Sequence, residues 1–146
     1  MDLDGFKAVN DQLGHAAGDA LLQQVANRLK DRIRCSDTVA RMGGDEFAVI
    51  MPDITDADTA VLVANELAAS LNDVFDLPQG LVHISGSVGI ALYPEHAISL
   101  ETLVQYADMA MYSAKRAGKN RVKVWHKEDH GNLPSERAEL WAESRY

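Results

Sequence analysis

Thr38-Val39-Ala40-Arg41-Met42 and Phe47-Ala48-Val49-Ile50-Met51 flank the stretch Gly43-Gly44-Asp45-Glu46. Two short apolar runs around a glycine pair predict a β-hairpin, because glycine tolerates the positive φ of a tight turn. The turn carries two adjacent carboxylates, Asp45 and Glu46, which repel each other unless a cation or solvent offsets the charge. Hard cations such as magnesium take oxygen ligands, usually one or two protein carboxylates together with substrate phosphates. A solvated acidic turn is the alternative these residues alone leave open.

Outward from the hairpin, apolar residues recur at helical spacing. Leu21, Leu22, Val25, Leu29 and Ile33 predict one helix. Val61, Ala64, Leu67, Ala68 and Leu71 predict a second, with Asp56 or Asp58 as its cap. Leu100, Leu103, Val104, Ala107 and Met111 predict a third, capped by Ser99 and stopped at Gly118. Val82 to Leu92 alternates as a strand, with Ile84, Val88, Ile90 and Leu92 on one side and His83, Ser85 and Ser87 on the other. Arg121 to Trp125 predicts a final strand. Helices interleaved with hairpin strands imply an α+β domain, a mainly antiparallel central sheet flanked by helices. Lys127 to Tyr146 is polar, with Gly131, Pro134 and a weak helical pattern at Ala138, Leu140 and Trp141, and is expected to be a tail or linker.

The chain has 146 residues, enough for one domain with its own core. Twenty-two acidic against fourteen basic side chains give a net charge of −8, which argues against binding nucleic acid or an anionic membrane surface. Cys35 is the only cysteine, so no intrachain disulfide forms. No apolar run approaches a membrane span, and Met1-Asp2-Leu3-Asp4 lacks the regions of a secretion signal. A cytoplasmic setting is the expectation.

A second acidic cluster opens the chain: Asp2-Leu3-Asp4-Gly5-Phe6-Lys7, followed by Asn10 and Asp19. If Asp2 ends a strand, the amides of Gly5 to Lys7 open the next helix and face an anion, with Lys7 adding charge. The alternative makes Asp4 a helix cap, with Phe6 and Val9 packed inward. Near the other end, Lys115 and Lys119 are four apart, on one helix face or at its fraying end, where cations also complement the helix dipole.

Taken together these segments resemble the GGDEF family of diguanylate cyclases. The resemblance runs from Asp2 to about Val124 through Asp2-Leu3-Asp4-Gly5-Phe6-Lys7, Asn10-Asp11, Gly14-His15, Gly18-Asp19, the glycine turn and Tyr112 to Asn120. It implies a ferredoxin-like palm fold related to nucleotide cyclases, occupying residues 1–126. It also implies magnesium or manganese held by Asp2, the Leu3 carbonyl, Asp45 and Glu46, with Asp45 helping to deprotonate a ribose hydroxyl. Asn10 and Asp19 match the pair that bonds the guanine edge, a donor and acceptor pattern adenine lacks. Gly5, Phe6 and Lys7, with Lys115 and Lys119, match positions that hold the phosphates of GTP. Arg34-Cys35-Ser36-Asp37 has the Arg-x-x-Asp form of an inhibitory site for the product, cyclic di-GMP; alone it reads as a helix end beside a strand start. His15 is expected to support the nucleotide pocket structurally.

Only Met1 precedes Asp2, where family members carry a further helix and most of the first strand. The expectation is a shortened central strand with neighbouring backbone groups exposed. The resemblance implies that two copies meet face to face, each bringing one GTP. A non-catalytic cyclic di-GMP or GTP receptor and an inactive fragment are the competing expectations.

Overall fold

A computed structural model of the chain describes residues 1–54 and 56–130. The buried strand β1, Asp2–Asp4, opens the fold. Helices α1 (Phe6–Leu13) and α2 (His15–Lys30) follow, separated at Gly14, whose φ of 86° reverses the chain between them. Ala17, Leu21, Val25 and Leu29 are spaced four apart and bury one face of α2. The helix ends at Lys30, so Ile33 lies beyond it, although still against the core.

The predicted hairpin forms from β2 (Thr38–Gly43) and β3 (Glu46–Ile50). Its pairing runs from Thr38 opposite Ile50 to Arg41 opposite Phe47, then shifts register between Arg41 and Gly43. Helix α3 (Ala57–Ser70) starts at Asp56, whose carboxylate accepts the Thr59 N–H at 2.7 Å. Beyond α3, the Arg28 guanidinium of α2 donates to the carbonyls of Ser70, Asp73 and Val74 at 2.9, 2.8 and 3.2 Å. It also lies 3.6 Å above the Phe75 ring, binding α2 to the chain that leaves α3.

Val82 to Leu92 is not one strand. Gly80–Val82 (β5) folds back on Phe75–Leu77 (β4) as a separate two-stranded sheet, and Ser85–Ile90 (β6) joins the main sheet. The turn through Pro78 and Gly80 draws the first half onto Phe75, whereas β1 claims Ser85 to Ser87. Leu92 falls outside both, its N–H donated to His96 Nδ1 at 3.0 Å. Helix α4 (Leu100–Arg116) begins at Ser99, which caps the Thr102 N–H, and β7 (Arg121–Val124) completes the sheet. Lys127–His130 forms a short 3-10 turn, and the pattern at Ala138, Leu140 and Trp141 lies outside the described residues. No helix among the described residues is long and apolar enough to cross a membrane.

The main sheet runs β2-β3-β1-β6-β7, antiparallel except for β6 and β7. The short β1 is therefore central, set against Ser85–Ser87 of β6 and meeting β3 at Asp2 opposite Glu46. Alternation sends Leu3, Phe47 and Val88 toward α2 and α3, and sends Asp2, Asp4, Ser87 and Gly89 toward α4. The first face holds the larger core, in which Leu3, Leu21, Val25, Leu29, Leu71 and Phe75 are at most 2% exposed. On the second face α4 comes so close that a Cβ on Gly89 would sit 2.0 Å from the Ala107 carbonyl and 2.3 Å from the Met111 nitrogen. Both are helix backbone and cannot yield as a side chain would. Gly89→Ala is expected to lower unfolding stability by about 3 kcal/mol, read as a lower urea midpoint at unchanged slope.

Candidate active site on the α4 face of the sheet

Two backbone bonds put Asp2 and Glu46 face to face. The Leu3 N–H donates to the Asp45 carbonyl at 3.1 Å, and the Phe47 N–H to the Met1 carbonyl at 2.9 Å. Asp2 and Glu46 lie between these bonds, the antiparallel arrangement in which facing side chains come closest. Like charges there repel. Asp2 is buried at 8% exposure, and the ammonium of Lys115, near the end of α4, donates to its Oδ1 as an ion pair.

The neighbouring carboxylates carry the strain of that crowding. Burial, and then the Asp2 charge, raise the Asp45 carboxyl above its ordinary range. Glu46 is raised by burial, then by Asp2, Asp108 and Asp45. Among the described residues no three His, Cys, Asp or Glu side chains stand as a ready-made metal cage. The set is nevertheless all hard oxygen, crowded with negative charge around the buried Asp2, open to solvent at the exposed Glu46, and already drawing in the Lys115 cation. Those properties fit a magnesium-type ion, which keeps few protein carboxylates and shares its shell with phosphate.

The other expected residues divide between this face and its surroundings. Gly5, with φ of 92°, starts α1, and no side chain caps that helix end. Asp4 is therefore not the helix cap. Phe6 and Lys7 form the first turn, with Lys7 exposed. Asn10 packs against Gly18, the residue before Asp19, where α1 meets α2: a Cβ on Gly18 would lie 1.9 Å from Asn10 Oδ1, so a larger residue there would push the amide aside. Asp19 is exposed and borders an open groove of ≈ 600 Å³ with Leu22, Lys30, Arg41 and Phe47. His15 is exposed at the start of α2. Lys119 is not on the face of α4; it follows the helix in a left-handed turn at φ 63°. Arg34 and Asp37 form a local turn before β2, the Arg34 N–H donating to Asp37 Oδ2 at 3.0 Å with the Arg34 side chain exposed.

Two carboxylates escaped the sequence reading. Asp4 is buried and accepts hydrogen bonds from Ser85 and Ser87. Its signal was the alternation that gives it the same face as Asp2 and the same facing partners as the polar side of β6. Asp108 on α4 faces Glu46 closely enough to raise it, and stands two helical turns before Lys115.

The family model for the diguanylate cyclase GGDEF domain matches residues 1–121. The chain is 43% identical over 138 residues to the diguanylate cyclase TpbB of Pseudomonas aeruginosa, covering 94% of this chain and 32% of that protein. It thus spans about a third of that relative's length. The crystal structure of the GGDEF domain of TpbB superposes with a TM-score of 0.83 at 44% identity, covering 86% of this chain and 78% of that one. The GGDEF domain of DgcB from Caulobacter crescentus, solved in complex with c-di-GMP, superposes at 0.70 with 27% identity, covering 84% and 73%. A match across most of its length, on a fold of this palm-like kind, shows that the chain belongs to the GGDEF family of diguanylate cyclase domains.

Proposed function

We infer that this chain is a diguanylate cyclase module that joins two GTP into cyclic di-GMP with release of two pyrophosphates. Each ribose 3′-hydroxyl attacks the α-phosphate of the other nucleotide, and each attack expels one pyrophosphate. The observation that carries this reading is the facing pair of the buried Asp2 and the exposed Glu46, with Asp45 beside them and Lys115 paired to Asp2, on the α4 side of the central strands. The cyclic di-GMP bound to the related DgcB domain supports the identity of the product.

Asp2, Asp45, Glu46 and the Leu3 carbonyl would hold magnesium or manganese. When bound, the ion neutralises phosphate charge and lowers the pKa of the attacking hydroxyl. Asp45 takes the hydroxyl proton, a task its raised carboxyl pKa suits better than an ordinary carboxylate would. Lys115 and Lys119, with the uncapped amides of Gly5, Phe6 and Lys7, bind the phosphates. Asn10 and Asp19 read the guanine edge. One domain holds one GTP, so two copies meet about a two-fold axis and catalysis follows from that encounter. Cyclic di-GMP returns to the exposed Arg34 and to Asp37 and slows the enzyme. The setting is the cytoplasm, where GTP is supplied and the exposed Cys35 thiol stays reduced.

Incubation with GTP and magnesium, followed by chromatography, should show cyclic di-GMP. Asp45→Ala and Glu46→Ala should each reduce its formation by on the order of 10²-fold or more. Undiminished product from both would refute the metal-site assignment. Glu46→Gln should separate function from folding: turnover falls, while metal-free stability rises by up to about 1 kcal/mol as the charge facing Asp2 disappears. Arg34→Ala should weaken cyclic di-GMP binding about tenfold in calorimetry, the loss of one charge-assisted contact.

A further inference from the structure

Asp4 lies two residues beyond Asp2 on β1, so strand periodicity turns both carboxylates to the α4 side. Three donors from two separate elements converge on it. Ser85 Oγ donates to Asp4 Oδ2 at 3.0 Å, and Ser87 Oγ reaches both carboxylate oxygens at 3.0 and 2.9 Å. The third donor is the backbone N–H of Asn120, 3.1 Å from Oδ2, in the turn that joins α4 to β7. Nothing in the chemistry above uses this carboxylate.

That turn is unusual in its backbone. Gly118, Lys119 and Asn120 follow one another at φ 114°, 63° and 46°, a region side-chain-bearing residues rarely adopt. The first two amides still close the helix: Gly118 N–H donates to the Lys115 carbonyl at 3.2 Å, and Lys119 N–H to that of Ala114 at 3.1 Å. The next amide, that of Asn120, goes to Asp4 instead. The Arg121 Nε donates to the Lys119 carbonyl at 3.0 Å and secures the other side. A charged acceptor on the central strand thus fixes the end of α4, which carries Lys115 and leads into Lys119.

We propose that Asp4 is a positioning residue that locks the left-handed turn after α4 to the central strand, and thereby places Lys115 and Lys119 on the triphosphate of GTP. The proposal deepens the functional reading above and rests on the phosphate role given there to the two lysines. A residue that only stabilised the fold would lower affinity for every nucleotide alike. One that positions lysines for the distal phosphates lowers affinity for the triphosphate alone.

The test compares Asp4→Ala and Asp4→Asn with the unaltered chain. Binding is measured by calorimetry for a GTP analogue with a methylene bridge between its α and β phosphorus atoms, and for GMP. Hydrogen exchange is followed across residues 117–121. In Asp4→Ala the turn should exchange about tenfold faster or more, the analogue should bind about tenfold more weakly, and GMP affinity should stay within about twofold. Asp4→Asn should restore both properties, because its amide oxygen still accepts the Asn120 N–H. Adding Lys119→Ala to Asp4→Ala should cost less than it does alone, since the lysine is already misplaced. If Asp4→Ala melts below the assay temperature, Asp4→Ser replaces it with the same expectations, its hydroxyl being too short to reach Asn120. Unchanged exchange, equal losses for GMP and analogue, or additive effects of the Asp4 and Lys119 changes would each overturn the proposal. Unchanged analogue affinity in both Lys115→Ala and Lys119→Ala would refute the phosphate reading and the proposal together. Unchanged exchange in Asp4→Ala removes the proposal and leaves the phosphate reading standing.

Discussion

Two carboxylates held opposite one another on one face of a sheet, Asp2 buried and Glu46 exposed, are the constraint around which this molecule is arranged. Asp2 and Glu46 cannot separate, because the backbone bonds on either side of them fix the pairing of β1 with β3. Asp2 is buried, whereas Glu46, at the start of β3, is exposed and keeps its contact with solvent. The buried Asp2 charge is the one that needs a cation close by. Within the chain that cation is Lys115, delivered by the last turn of α4. A set of acids that destabilises the fold locally is tolerated when function requires it and the remaining core supplies the stability.

The opposite face supplies it. Leu3 alternates with the two aspartates and enters a core built from α2, α3 and the Phe75 segment, so one three-residue strand serves both packing and chemistry. Small residues make the sheet thin enough for helices on both sides. Gly89 lets the α4 backbone touch β6, while a Cβ on Gly86 would lie 2.8 Å from the Leu71 side chain on the other face. The position of Lys115 over Asp2 therefore depends on a glycine several residues away in β6, with no polar contact between them.

Much of this was legible in the sequence, for identifiable reasons. Helices α3 and α4 declared themselves through caps, Asp56 and Ser99, whose side chains compete for the first free amides. The hairpin followed from Gly43 and Gly44, and the acidic ends of β1 and β3 from their place in the motifs. What failed depended on pairing across long separations. The alternation from Val82 to Leu92 is real, yet two different partners divide it, Phe75–Leu77 and Asp2–Asp4, and periodicity cannot name a partner. Alternation puts Ser85 and Ser87 on the side opposite Val88 and Ile90, but it cannot name Asp4 as the partner against which Ser87 is wholly buried. For Lys115 and Lys119 the spacing leaves open one helix face or the fraying end of the helix, and the chain takes the second, α4 ending at Arg116 between them.

The irregular register between Arg41 and Gly43 has a bearing on how the hairpin tolerates change. Strand side chains alternate with a period of two, so the loop length acts as a phase setting for everything after it. Losing or gaining a single residue there would rotate β3 by half a period, turning Phe47 out of the core and Glu46 into it. The length of this loop is therefore as constrained as the residues it carries.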